Sequence, residues 1–118
     1  MMFPPVYRTL RTPAVVAIVD DRIGAFGEVA QDEQRPYITW QVTVDAPHDH
    51  LSGAPPSDFT TVQIDCYAKE QKDAETLALA VRAALDAELI VNRVSITGRD
   101  RDTRLYRVSI DADFITQR

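Results

Sequence analysis

Two histidines flank an aspartate in His48-Asp49-His50, and Asp45, Asp58 and Cys66 stand nearby in the chain. Imidazole, carboxylate and thiolate are the donors of zinc and other transition-metal sites, so metal chemistry in this protein would have to be built here. The spacing argues against it. Histidines two residues apart in a loop lack the i, i+4 geometry that sets two imidazoles on one helix face. Cys66 alternates with Val62 and Ile64 on the apolar side of a strand, where cysteine serves as a small buried hydrophobe rather than as a nucleophile. No metal and no cofactor is expected.

The remaining charged clusters have plainer explanations. Glu70, Asp73 and Glu75 open a helix, and acids in a first turn are favoured by the helix dipole without any catalytic role. Gly24-Ala25-Phe26-Gly27 lacks the spacing of a dinucleotide-binding loop. The run Gly98 to Arg104, GRDRDTR, alternates in sign and holds no phosphate cradle. It suits either a solvated turn or a charged contact with a partner, since complementary charges orient two surfaces. Trp40 falls in register with Ile38 and Val42 as a core residue. With each constellation weighed, no catalytic residue is expected, and the chain does not read as an enzyme.

The elements that carry these residues follow from periodicity. Pro4 and Pro5 suit the start of a short helix over Pro5 to Leu10, and Thr12-Pro13 reads as an N-cap before a second one through Val19, one kinked element being the alternative. Asp20 to Pro36, with two glycines and five acids, is expected to be a loop with room for a short edge strand at Arg22 to Phe26. YITWQVTVD alternates with period two, as does the strand ending at Cys66. Between them, Ala46 to Asp58 holds three prolines and a glycine and is expected to be a long exposed loop. Ala74, Leu77, Ala78, Val81, Ala84 and Leu85 then form one apolar stripe at helical spacing. ELIVNRVSI and RLYRVSIDADFI read as two more strands, joined by the turn TGRDRDT with Gly98 as its positive-φ residue. The expected fold is α+β: a mainly antiparallel sheet of about four strands, one long helix on one face and short N-terminal helices.

At 118 residues the chain fits a single domain, 1–118, large enough to bury roughly two thirds of its unfolded surface. The 45% apolar and 26% charged composition is that of a globular protein. A net charge of −5 argues against a protein that grips nucleic acid through clustered cations, but is compatible with a surface that DNA passes without sticking. One cysteine forbids an internal disulfide and points to synthesis in the cytoplasm. The first residues lack the apolar core of a signal peptide, and no window has the length of a membrane span, so an aqueous location without membrane is expected.

Taken in order, PPVYRTLRTPAVVAIVDDRIGAF, RPYITWQV, VQIDCYAKEQKDAETLALAVRAAL and TRLYRVSIDADF resemble the small tail-completion proteins of long-tailed bacteriophages, also called tail terminators or tail-to-head joining proteins. The resemblance covers nearly the whole chain, and Ala46 to Asp58 matches nothing in particular. It implies a homo-oligomeric ring, usually hexameric, on the head-proximal end of the tail tube. Such a ring ends tube polymerisation, joins the tail to the head's connector or stopper proteins, and lets DNA pass through its lumen without sequence-specific binding. It also implies a place in the neck of the virion, after assembly in the host cytoplasm. The family has no catalytic residues to carry over. Under this resemblance two loops are the expected assembly contacts: His48, Asp49, His50 and Leu51 in one, Arg99, Asp100, Arg101 and Arg104 in the other. The alternative is a small ligand-binding or regulatory domain that dimerises through a sheet edge, an expectation that rests on fold analogy alone.

Overall fold

A computed structural model describes residues 4–25, 33–47 and 57–117. The elements run α1 (Val6–Leu10), α2 (Pro13–Val19), β1 (Ile23–Ala25), β2 (Tyr37–Pro47), β3 (Ser57–Ala68), α3 (Gln71–Ala87), β4 (Val91–Arg99) and β5 (Tyr106–Gln117). Thr12 caps α2 as its sequence suggests: its hydroxyl oxygen accepts the Val15 N–H at 3.5 Å, with Pro13 in the first turn, where a missing donor costs nothing.

The strands form one sheet in the order β1-β2-β3-β5-β4. The class is the expected α+β, but the sheet has five strands rather than about four, and it is mixed. β1 pairs parallel to β2, Ile23 opposite Ile38, while all other neighbours are antiparallel. Three residues are too few for a period-two signal, which is why β1 was legible only as room for a short edge strand.

One face of the sheet makes the core. Ile38 and Trp40 of β2, Val62, Ile64, Cys66 and Ala68 of β3, and Val108, Ile110, Ala112 and Phe114 of β5 are buried beneath the α3 stripe of Ala74, Leu77, Ala78, Val81, Ala84 and Leu85. The alanines of that stripe let the helix axis approach the strands. Val6, Leu10, Val15 and Val19 of the two short helices complete the layer. Each fully buried Leu, Ile or Val contributes about 1.5–3 kcal/mol relative to exposure.

Three boundaries differ from the sequence reading. The strands reach into the expected Ala46 to Asp58 loop, pairing Ala46 with Phe59 and Pro47 with Asp58, because a hairpin already in register extends at little further entropic cost. β2 bends on the way at a register shift between Val42 and Val44, where the Thr43 hydroxyl donates to the Thr61 carbonyl at 3.1 Å. Helix α3 takes up residues through Ala87, so β4 starts at Val91 and runs to Arg99. Gly98 has the expected positive φ of 149°, but inside the strand, opposite Arg107; within the turn it is Arg104, at φ 61°, that bends backwards.

The end of α3 is a Schellman motif without glycine. The Ile90 N–H donates to the Leu85 carbonyl at 3.0 Å and the Leu89 N–H to the Asp86 carbonyl at 2.9 Å, which satisfies carbonyls the last turn leaves orphaned. The residue at the left-handed position is Leu89, φ 59°. Arg82 and Asn92 then tie the helix to β4: Arg82 Nε donates to Asn92 Oδ1 at 2.7 Å, and the Asn92 amide donates to Asp86 at 2.8 Å.

Candidate functional site

Of the two loops expected to make assembly contacts, the β4–β5 turn is described. It is held from inside. Asp100 accepts from the Thr103 N–H at 2.9 Å and its hydroxyl at 2.8 Å, while the Asp100 N–H donates to the Leu105 carbonyl at 2.7 Å. These bonds to Thr103, backbone first and then hydroxyl, hold the Asp100 carboxyl below the usual carboxylate range. Arg99 donates to the Arg104 carbonyl at 3.1 Å and stands over the Tyr106 ring, 5.9 Å from its centroid. The turn thus brings Arg99, Asp100, Arg101 and Arg104 together around an open cleft of about 300 Å³. Guanidinium groups suit carboxylates on a protein partner, which arginine engages in planar, bidentate fashion.

His48, Asp49, His50 and Leu51 lie outside the described residues. Cys66, which would have to join the histidines at a metal, is fully buried between Ile38 and Val108 on the neighbouring strands. Burial pushes its thiol well above the ordinary range, so it is neither a reachable ligand nor a thiolate nucleophile. Among the described residues no three His, Cys, Asp or Glu side chains gather as metal ligands, and no helix is long and apolar enough to cross a membrane.

A feature missed by the sequence reading lies beside the turn. β4 is an outer strand, open on both faces, with Val91 67% exposed and Val94 and Ile96 both exposed; Ile115 on β5 is exposed as well. Val94 pairs with Ile110 on the core side, whereas Val91 pairs with Asp113 and Ile96 with Ser109 on the far side. Apolar residues on both faces break the period-two alternation, and that break, in a strand with a register shift after Val94, is the signal that could have marked it. A long edge strand with apolar side chains and unpaired backbone groups is a template for pairing with another chain.

The sheet face away from α3 carries polar groups, and they are satisfied internally. Ser109, 0% exposed, donates to Asp65, 7% exposed, at 2.5 Å, and the Gln63 amide donates to both Asp65 oxygens at 3.0 and 3.2 Å. Thr61 donates to Asp113 at 3.1 Å, and Arg93 approaches Asp113 at 3.2 Å and Asp111 at 4.0 Å. Tyr37 stacks on Tyr67 with centroids 4.7 Å apart; burial first, then the neighbouring Tyr67, pushes the Tyr37 hydroxyl up to about 12. Among the described residues no buried side-chain polar atom lacks a partner. These groups position one another, and none is paired as nucleophile and base.

A comparison with known protein families covers nearly the whole chain. The family model described as tail completion protein gp17 matches residues 4–117. The chain belongs to this tail-completion family. It is a structural component of a bacteriophage tail, and the match runs from before α1 to the end of β5. No curated protein matches it. For a tail-completion protein the useful geometry is that of surfaces, and the described residues offer two adjoining ones: the arginine-lined turn and the open edge of β4.

Proposed function

We propose that the chain is the subunit of a hexameric ring that caps the head-proximal end of the tail tube, ends tube polymerisation, and joins the tail to the connector or stopper proteins of the head. The observation that carries this reading is the family match over residues 4–117. The subunit supports it physically: a sheet backed by α3 gives a rigid body, and the exposed β4 edge and Arg99–Arg104 turn give it surfaces for neighbours. Non-equivalent surfaces repeated head to tail generate a ring when the rotation closes. The genome passes through the centre, and a net charge of −5 favours passage over retention because like charge repels phosphate. The ring sits in the neck of the virion and is assembled in the host cytoplasm. It works by contact alone, without metal, cofactor or membrane.

The test is a phage deleted for this gene, with the full-length protein supplied from a plasmid or added to the lysate. Without it, electron micrographs are expected to show unjoined heads and tails with tubes of uncontrolled length; with it, joined particles carrying a ring at the neck. Normal tails joined to heads in its absence would refute the reading.

A further inference from the structure

Strand β4 belongs to the sheet but gives nothing to the core. None of its nine residues is buried, and Asn92 alone is half-buried, whereas β2, β3 and β5 all set side chains into the cluster that α3 covers. Loss of β4 would therefore uncover the edge of β5 and leave the buried Val108, Ile110 and Ala112 beneath the helix. An element that buries little apolar surface costs little to open, and local opening free energies run from near zero at such elements up to that of global unfolding.

What holds β4 is lateral and polar. Its ladder to β5 is interrupted by the register shift between Val94 and Ile96. Arg93 reaches Asp113 at 3.2 Å and Asp111 at 4.0 Å from a side chain 54% exposed, and an ion pair so open to water contributes little. The Ser95 hydroxyl donates to the Ser109 carbonyl at 3.3 Å. The strongest tie is Asn92, which stands between charged groups on successive turns of α3. Its side-chain oxygen accepts from Arg82 Nε at 2.7 Å, its carbonyl accepts from Arg82 Nη2 at 3.4 Å, and its amide donates to Asp86 at 2.8 Å and to the Ile90 carbonyl at 2.8 Å. Hydrogen bonds to charged partners are worth more than neutral ones. The other end of the strand is fixed to the body: Leu105 is buried, and its carbonyl accepts the Asp100 N–H at 2.7 Å.

We propose that β4 is a strap. It hinges on the turn between Asp100 and Leu105, is latched to α3 by Asn92 between Arg82 and Asp86, and opens while β2, β3, β5 and α3 stay folded. The open form bares the outer backbone edge of β5 from Tyr106 to Asp113, a second pairing edge that the closed form hides. The inference concerns the single subunit and stands whether or not the ring forms.

Native-state hydrogen exchange of the full-length protein, followed amide by amide by NMR under conditions where the rate reports the open population, tests this. In the wild type, amides that bond β4 to β5 are expected to exchange roughly a hundredfold faster, relative to their unfolded-chain rates, than amides that bond β3 to β5 or lie in the middle of α3. Asn92→Ala removes the latch, and circular dichroism establishes that the variant folds. Its β4–β5 amides are expected to exchange roughly tenfold faster again, while those of β2–β3 and mid-α3 change by less than about twofold. Equal protection of the two ladders in the wild type overturns the strap. So does a folded Asn92→Ala variant in which all amides speed up alike, because β4 then opens only with the whole domain. A folded variant whose β4 amides are unchanged overturns the latch and the proposal with it.

Discussion

Replacing Leu89 with glycine should stabilise the protein. Leu89 occupies the left-handed position after α3 at φ 59°, with its N–H on the Asp86 carbonyl and the next N–H on that of Leu85. A side chain there costs about 1–2 kcal/mol, because Cβ crowds the following carbonyl. Little burial offsets this cost, since Leu89 is 92% exposed. Glycine removes the crowding but gives the unfolded chain more freedom, worth about 0.5–1 kcal/mol in the other direction. The net expectation is a gain of about 0.5–1 kcal/mol. With an unfolding entropy of about 2.1 cal/mol/K per residue, a chain this size shifts its Tm by about 2–4 °C for that gain. The assay is thermal melting followed by circular dichroism at fixed protein concentration, with urea unfolding to check that the m-value is unchanged. Leu89→Ala is the control: it removes the exposed side chain and keeps Cβ, so it should leave Tm near the wild-type value. If Leu89→Gly melts no higher than Leu89→Ala, the strain argument is wrong.

Leu77→Asp sets an unpaired charge on the buried stripe of α3 and should abolish the cooperative melting transition; a wild-type melt would refute the assigned core. Ser109→Ala removes a donor from the buried Asp65 carboxylate and should cost about 1–3 kcal/mol in urea unfolding, whereas Thr39→Ala, at a half-buried site on the same face of the sheet, should cost less; equal losses would refute the network. Asp100 is held below its unfolded pKa by Thr103. Its contribution is therefore present above the usual carboxylate range and is lost as pH falls through the lower folded value. The Thr103 amide, followed by NMR, should lose its hydrogen bond over that acidic window, and Asp100→Asn should remove the pH dependence; an amide unaffected by acid would refute the assignment.

What the sequence determined by itself is periodic. The α3 stripe from Ala74 to Leu85 and the buried faces of β2, β3 and β5 were legible because a helix or strand repeats its environment at a fixed interval, so each position testifies for its neighbours. The burial of Cys66 followed from the same alternation. The candidate turn from Arg99 to Arg104 could be found from its alternating charge, but not the fact that Asp100 is spent on holding its own backbone. Only the tertiary structure decided which strands stand side by side. It inserted β5 between β3 and β4, left β4 at an edge with Val91, Val94 and Ile96 uncovered, and set β1 parallel at the other edge. Leu89 could not be read as a helix stop, since the usual glycine is absent and the signal lies in backbone dihedrals. The reason is common to these cases: periodicity reports how a segment faces its own core, whereas exposure at an edge depends on a neighbour that is distant in sequence, or missing, and a chain read locally carries no record of it.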